Sequence, residues 1–231
     1  MNRQQAQPQP PHRVPAQHPA AQHPKGPPQH RHPDELFFFG TNDPRQGDVL
    51  IGFRNDIPVL YRFDTMDLPT GTRTTVRFNE QLELALLNWT MGKHMGSLVR
   101  NFNRTAAARG CAPHRAASNA TPMADYVARG SVPNGRQFRS RAVARNEVFE
   151  WRRLGLGPTG RPEHYELFAI SPAGEDRIAT FAPDVREIEN QGRSYARLRY
   201  TFPDEEELLH DAVIALCLNR WIDWQIDWQG M

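Results

Sequence analysis

The run Leu208-Leu209-His210-Asp211-Ala212-Val213-Ile214-Ala215-Leu216-Cys217-Leu218 constrains this chain more than any other feature. Asp204 is placed to cap a helix, Glu207 stands where a capping box needs it, and the acidic first turn suits the positive end of the helix dipole. From Ala212 to Leu218 every residue is apolar, so a helix there has no face left for water and must be buried all round. A bilayer core needs about 20 such residues, and this run is far shorter. A wholly buried helix over roughly residues 204–219, following a series of strand-like segments, predicts a mainly β fold: a closed antiparallel β-barrel around a buried C-terminal helix.

The strand-like segments are Pro58–Thr65, Thr74–Phe78, Leu82–Thr90, Ser97–Phe102, Glu147–Leu154, His164–Ile170, Arg177–Ala182 and Tyr195–Phe202, with order beginning at Leu36-Phe37-Phe38-Phe39. In Val59-Leu60-Tyr61-Arg62-Phe63-Asp64 polarity switches with a period near two, as a strand with one wet face requires. Pro69-Thr70-Gly71, Pro172-Ala173-Gly174 and Asn190-Gln191-Gly192 carry the residues that let a chain reverse. At the C-terminus, Ile222-Asp223-Trp224-Gln225-Ile226-Asp227-Trp228 alternates strictly and reads as a half-buried strand packed on the barrel. Trp221, Trp224 and Trp228 also suit a membrane interface, but Asp223 and Asp227 would then meet anionic lipid, which favours packing.

Residues 1–33 are dominated by Pro, Gln, His and Ala and cannot bury enough apolar area to offset the entropy of ordering, so they read as a disordered arm. The remainder, 34–231, is sized for a single domain. No apolar stretch in the arm matches a signal peptide and no later segment reaches transmembrane length. Cys111 and Cys217 give no basis for a disulfide framework. An intracellular, cytoplasmic protein is expected, peripheral at membranes if it meets them at all.

From about 103 to 145 small residues, Gly and Pro replace the apolar alternation, which reads as a mobile basic insertion. Its arginines face a single acid, Asp125. Arg136, Arg139, Arg141 and Arg145, with Phe138 among them, are the candidate polyanion-binding residues, since guanidinium groups bind phosphate oxygens in bidentate fashion. A solvated basic loop with no ligand is the plainer alternative. The formal charge of +2 is too close to neutral for a protein devoted to nucleic acid.

Other motifs carry less. Gly155-Leu156-Gly157-Pro158-Thr159-Gly160 has the spacing of a dinucleotide fingerprint, yet a strand-like segment follows it where a helix N-terminus is needed, so it reads as a hairpin loop. His12, His18, His23, His30 and His32 fall in the arm with no cysteine or acid spaced to complete a metal site. His94, His164 and His210 are isolated, and no nucleophile elbow or activated cysteine is present. The expectation is therefore no catalytic set, no cofactor and no metal.

The order of elements resembles the uncharacterised fungal proteins of the tubby C-terminal-like superfamily, related in fold to LURP-one and phospholipid scramblase proteins. The residues that carry the resemblance are Val59-Leu60-Tyr61-Arg62-Phe63-Asp64-Thr65, Leu84-Ala85-Leu86-Leu87-Asn88-Trp89, Val148-Phe149-Glu150-Trp151-Arg152, Ile178-Ala179-Thr180-Phe181 and Leu208 to Ile214, within about 36–221. The third looks like the family's aromatic-Trp-Lys/Arg strand. The resemblance implies a closed barrel around a central helix and a non-enzymatic role in binding anionic lipid or a protein partner. A small-molecule carrier, or an enzyme with a site on the barrel rim, is the alternative.

Overall fold

The computed structural model describes residues 34–40, 43–54, 57–90, 95–100, 120–140, 147–158, 163–201 and 206–227. The arm, Asp204, Arg141 and Arg145 lie outside them, as does Cys111.

Strands β1 (Asp34–Gly40), β2 (Asp48–Arg54), β3 (Ile57–Leu68), β4 (Gly71–Phe78), β5 (Leu82–Thr90) and β6 (Ser97–Arg100) form an antiparallel meander. Next come β7 (Thr121–Pro122), the single turn α1 (Met123–Tyr126), β8 (Ala128–Arg129) and β9 (Gly135–Arg139). A second meander holds β10 (Val148–Arg153), β11 (Tyr165–Ser171) and β12 (Gly174–Pro183). A separate two-residue pair, β13 (Glu187–Ile188) with β14 (Gly192–Arg193), precedes β15 (Ala196–Tyr200) and helix α2 (Glu206–Asp227). The thirteen strands of the large sheet run in the order β7-β6-β5-β4-β3-β2-β1-β15-β12-β11-β10-β9-β8.

Alternation places the core as read. In β3, Val59, Tyr61 and Phe63 are buried while Leu60, Arg62 and Asp64 turn outward, and β15 does the same with Ala196, Leu198 and Tyr200. Strand β2 is absent from the sequence reading, because Val49-Leu50-Ile51-Gly52-Phe53 shows no polar alternation and holds a glycine. The glycine has a reason: a Cβ on Gly52 would collide with the Glu35 carbonyl of β1. Hydrogen-bonded rows such as Phe38 to Leu50 depend on that approach.

Helix α2 is buried from Leu208 through Trp221, as the apolar run predicts, with Ala212, Val213, Ala215, Leu216, Cys217 and Leu218 wholly enclosed. It does not end there. The segment read as a C-terminal strand continues the helix to Asp227. Its alternation also fits helical spacing, since Asp223 with Asp227 and Ile222 with Ile226 are i, i+4 pairs. No helix among the described residues is long and apolar enough to cross a membrane.

Two further expectations change. The sheet is not closed into a barrel: its edge strands β7 and β8 pair with β6 and β9 and not with each other. The segment between the edges, Thr121 to Arg129, passes along the seam, pairs with β6, makes one helical turn and then pairs with β9. Pro122 has no N–H to donate, so a continuous ladder stops there, and α1 buries Met123 and Tyr126 instead. In consequence residues 120–140, read as part of a loop, hold α1 and three strands.

Candidate functional site

The interior of the wrap is occupied by the buried helix α2, whose polar groups tie it to the sheet. At the start of α2, His210 Nδ1 lies 2.9 Å from the Tyr61 hydroxyl, its Nε2 lies 3.3 Å from Glu206, and Glu206 pairs with Arg54 at 3.1 Å. This Tyr-His-Glu series has the order of a catalytic relay. Burial pushes the Tyr61 hydroxyl well above its ordinary range and leaves it no exposed surface, so it is a structural hydrogen bond and not a nucleophile. Burial likewise pushes the Cys217 thiol up to about 12, which makes it inert. One turn on, Tyr126 donates to the Asp211 carbonyl at 3.1 Å, and Trp151 Nε1 donates to the Ala212 carbonyl at 3.0 Å.

Towards the other end, Arg220 is buried among the rings of Phe38, Phe181 and Tyr195, the nearest centroid 4.8 Å from its guanidinium carbon. The Tyr195 hydroxyl donates to Asp48 at 2.6 Å. Burial pushes the Asp48 carboxyl up to about 7, against the opposing pull of Arg220, Tyr195 and the Val49 amide. A folded-state pKa above the unfolded value means that its contribution is fully present below pH 3.8 and lost as pH rises through about 7. Wild-type stability in urea should accordingly fall by roughly 2–4 kcal/mol between pH 4 and pH 8 on account of this group. Asp48→Asn should flatten that slope, and an unchanged slope in the variant would exonerate Asp48.

Outside the wrap, Glu150 is buried under the β8–β9 connection and accepts from the Ser131 amide, Gln137 and Arg152 at 2.8–2.9 Å. Burial alone would raise its pKa, but those hydrogen bonds outweigh it and hold the carboxyl down at about 2. A Cβ on Gly135 would collide with this carboxylate, which accounts for the glycine.

The seam holds a concave feature with unspent charge. Between β6 and β9, above α1, a cleft of about 510 Å³ is lined by Leu98, Arg100, Asp125, Tyr126, Gln137 and Arg139, with Thr121, Ala128, Phe138 and Val148 completing its walls. Its volume falls within the usual range of ligand sites. Arg100 is committed, 3.0 Å from Asp211 and stacked 4.4 Å above the Tyr126 ring. Arg139 is exposed, and no carboxylate among the described residues pairs with it.

The structure thus separates the four arginines singled out by sequence. Arg139 lines the cleft. Arg136 does not, since it turns inward and pairs with the wholly buried Asp223 at 2.7 Å. Arg141 and Arg145 lie outside the described residues. Arg100, Tyr126 and Gln137 are the cleft residues that sequence reasoning missed. Nothing in their spacing marks them, because the seam joins strands distant in the chain. Comparison with family models, curated proteins and solved structures finds no match to this chain. Among the described residues no group of His, Cys, Asp and Glu is arranged to hold a metal ion.

Proposed function

We propose that this chain is a non-enzymatic binding module, a tubby C-terminal-like wrap left open along one seam, that engages an anionic partner at the seam cleft. The architecture is supported by the enclosed α2 and by strand polarity. From β6 round to β9 each strand is antiparallel to the next, so one further antiparallel strand would complete a closed barrel. The carrier alternative fits less well, because side chains of α2 occupy the space a cargo would need. The enzyme alternative has its best constellation in Tyr61, His210 and Glu206, where the hydroxyl is out of reach of substrate.

The observation that carries the anionic reading is the contrast between Arg139 and its neighbours. Arg100, Arg136 and Arg153 each have a buried carboxylate, while Arg139 stands open in the cleft. Arg141 and Arg145 follow within the same stretch of sequence and add to the local positive charge. Near a negative membrane each basic residue contributes about 1 kcal/mol, screened within a Debye length. Binding of the full chain to phosphatidylserine vesicles at low salt should fall by about tenfold or more when Arg139, Arg141 and Arg145 are all changed to Gln. Added salt should do the same to the wild type. If wild-type protein ignores such vesicles at low salt, the lipid arm is wrong and the anionic partner is a protein.

A further inference from the structure

The seam cleft is lined by two opposite charges that are not spent on each other. Asp125, on the helical turn α1, and Arg139, at the end of β9, both border it and both are exposed. Among the described residues neither has an ion pair or a side-chain hydrogen bond. The other charged group in the lining, Arg100, is committed to Asp211 at 3.0 Å.

Buried neighbours fix the backbone beneath each charge. Tyr126 follows Asp125, and its hydroxyl donates to the Asp211 carbonyl at 3.1 Å while the Arg100 guanidinium lies 4.4 Å over its ring. Met123, two residues before Asp125, is wholly buried. Phe138 precedes Arg139 and is buried with its ring 5.6 Å from that of Phe149, which turns Arg139 to the opposite face of β9. Two preorganised charges of opposite sign therefore share a cleft whose remaining wall includes the apolar Leu98, Ala128, Phe138 and Val148.

Charge complementarity selects what such a cleft holds. A simple anion gains Arg139 but meets repulsion from Asp125, and a simple cation meets the reverse. A neutral apolar ligand would strip water from both charges and return nothing. A molecule that carries an ammonium and an acidic group together satisfies both.

We propose that the seam cleft is a site for a zwitterionic ligand, its ammonium set against Asp125, its carboxylate or phosphate against Arg139, and its apolar part on the wall of Leu98, Phe138 and Val148. Two sources present this chemistry: a free apolar amino acid and the serine headgroup of a phospholipid. The inference rests on the reading of Arg139 as the anion contact of the seam and adds a cation contact that sets the class of ligand.

The test compares phosphatidylserine with phosphatidylglycerol in vesicles of equal anionic content at low salt and neutral pH, and titrates free L-phenylalanine in parallel. Both lipids carry a single net negative charge, but only the first has an ammonium. The full chain is used as wild type, Asp125→Asn and Arg139→Gln; both positions are exposed, and unchanged melting temperatures confirm that the variants are folded. Arg139→Gln should weaken every interaction observed. Asp125→Asn should weaken binding of phosphatidylserine or phenylalanine about fivefold or more and leave phosphatidylglycerol unchanged or tighter, because the amide keeps the shape and removes only the charge. Wild-type preference for phosphatidylserine over phosphatidylglycerol assigns the site to the headgroup. Saturable binding of phenylalanine without vesicle binding assigns it to the free amino acid and removes the lipid arm of the proposed function alone. Equal binding of the two lipids with no binding of phenylalanine, or tighter binding of every ligand by Asp125→Asn, overturns this inference and leaves the role of Arg139 standing. Binding indifferent to Arg139→Gln overturns both readings. If wild type binds none of the three probes, the zwitterion site is wrong and the anionic partner is a protein.

Discussion

Ala212→Asp is expected to destabilise the fold by roughly 4 kcal/mol or more, enough to leave a domain of ordinary stability largely unfolded. Ala212 has no exposed surface, and its carbonyl is held by the Trp151 indole at 3.0 Å, so the helix cannot turn a new carboxylate towards water without giving up that bond. The nearby Arg100 is already committed to Asp211 at 3.0 Å, so the added charge finds no unspent counter-ion there. Ile214→Asp, on the same enclosed helix, should behave alike. The measurement is urea or thermal unfolding followed by near-ultraviolet dichroism. The loss should shrink as pH falls and the introduced carboxyl takes up a proton, because its folded pKa is raised. Midpoints near the wild type in both variants would mean that α2 is not enclosed.

That helix was legible because its apolar residues leave no alternative face, a property of local sequence alone. Strands with one wet face, such as β3 and β15, were legible for the same reason. Strand β2 was not, since close approach to β1 demands Gly52 and both faces of Val49 to Phe53 are apolar. The end of α2 was misread because a seven-residue alternation fits a strand, while the reason it is helical lies elsewhere in the chain, in the partners waiting for Asp223. The stretch from 120 to 140 was misread for a related reason. Gly135 and Gln137 look like loop residues until Glu150 is seen to need the space beside one and the amide of the other.

The same step explains the partial success with the arginines. Positions 136 and 139 differ by an odd number, so on a strand they point to opposite faces. Once β9 is recognised as a strand, one arginine must face α2 and the other solvent, and Phe138, buried and stacked 5.6 Å from Phe149, fixes which is which. Read as a loop, the segment gave no parity, and all four arginines looked equivalent. The seam cleft was beyond reach for a topological reason: its walls are β6, the first meander's last strand, and β9, which flanks the second meander at β10, brought together only by the wrap.

Asp223 gives the second large effect. Its carboxylate has no exposed surface and accepts from Arg136 at 2.7 Å and from the Tyr165 hydroxyl at 3.1 Å, with Arg153 at 3.4 Å. Asp223→Ala strands two half-buried guanidinium groups, those of Arg136 and Arg153, and one buried hydroxyl, which should cost about 3–5 kcal/mol. Burial already raises the Tyr165 hydroxyl's pKa, and the charge of Asp223 raises it further, so that hydroxyl remains a donor in need of an acceptor throughout. Arg136→Met in the same background should recover part of the loss, because the more closely held of the two orphaned charges goes with it. A double-mutant cycle between the two positions should then show a coupling of about 1–3 kcal/mol. Additive effects would mean that the pair contributes nothing beyond its separate residues. The cycle also bears on function, since Arg136 is committed to the helix and lies outside the cleft. Arg136→Gln should lower stability yet leave vesicle binding within about twofold of wild type, in contrast to the exposed Arg139, whose loss should weaken binding and leave stability unchanged.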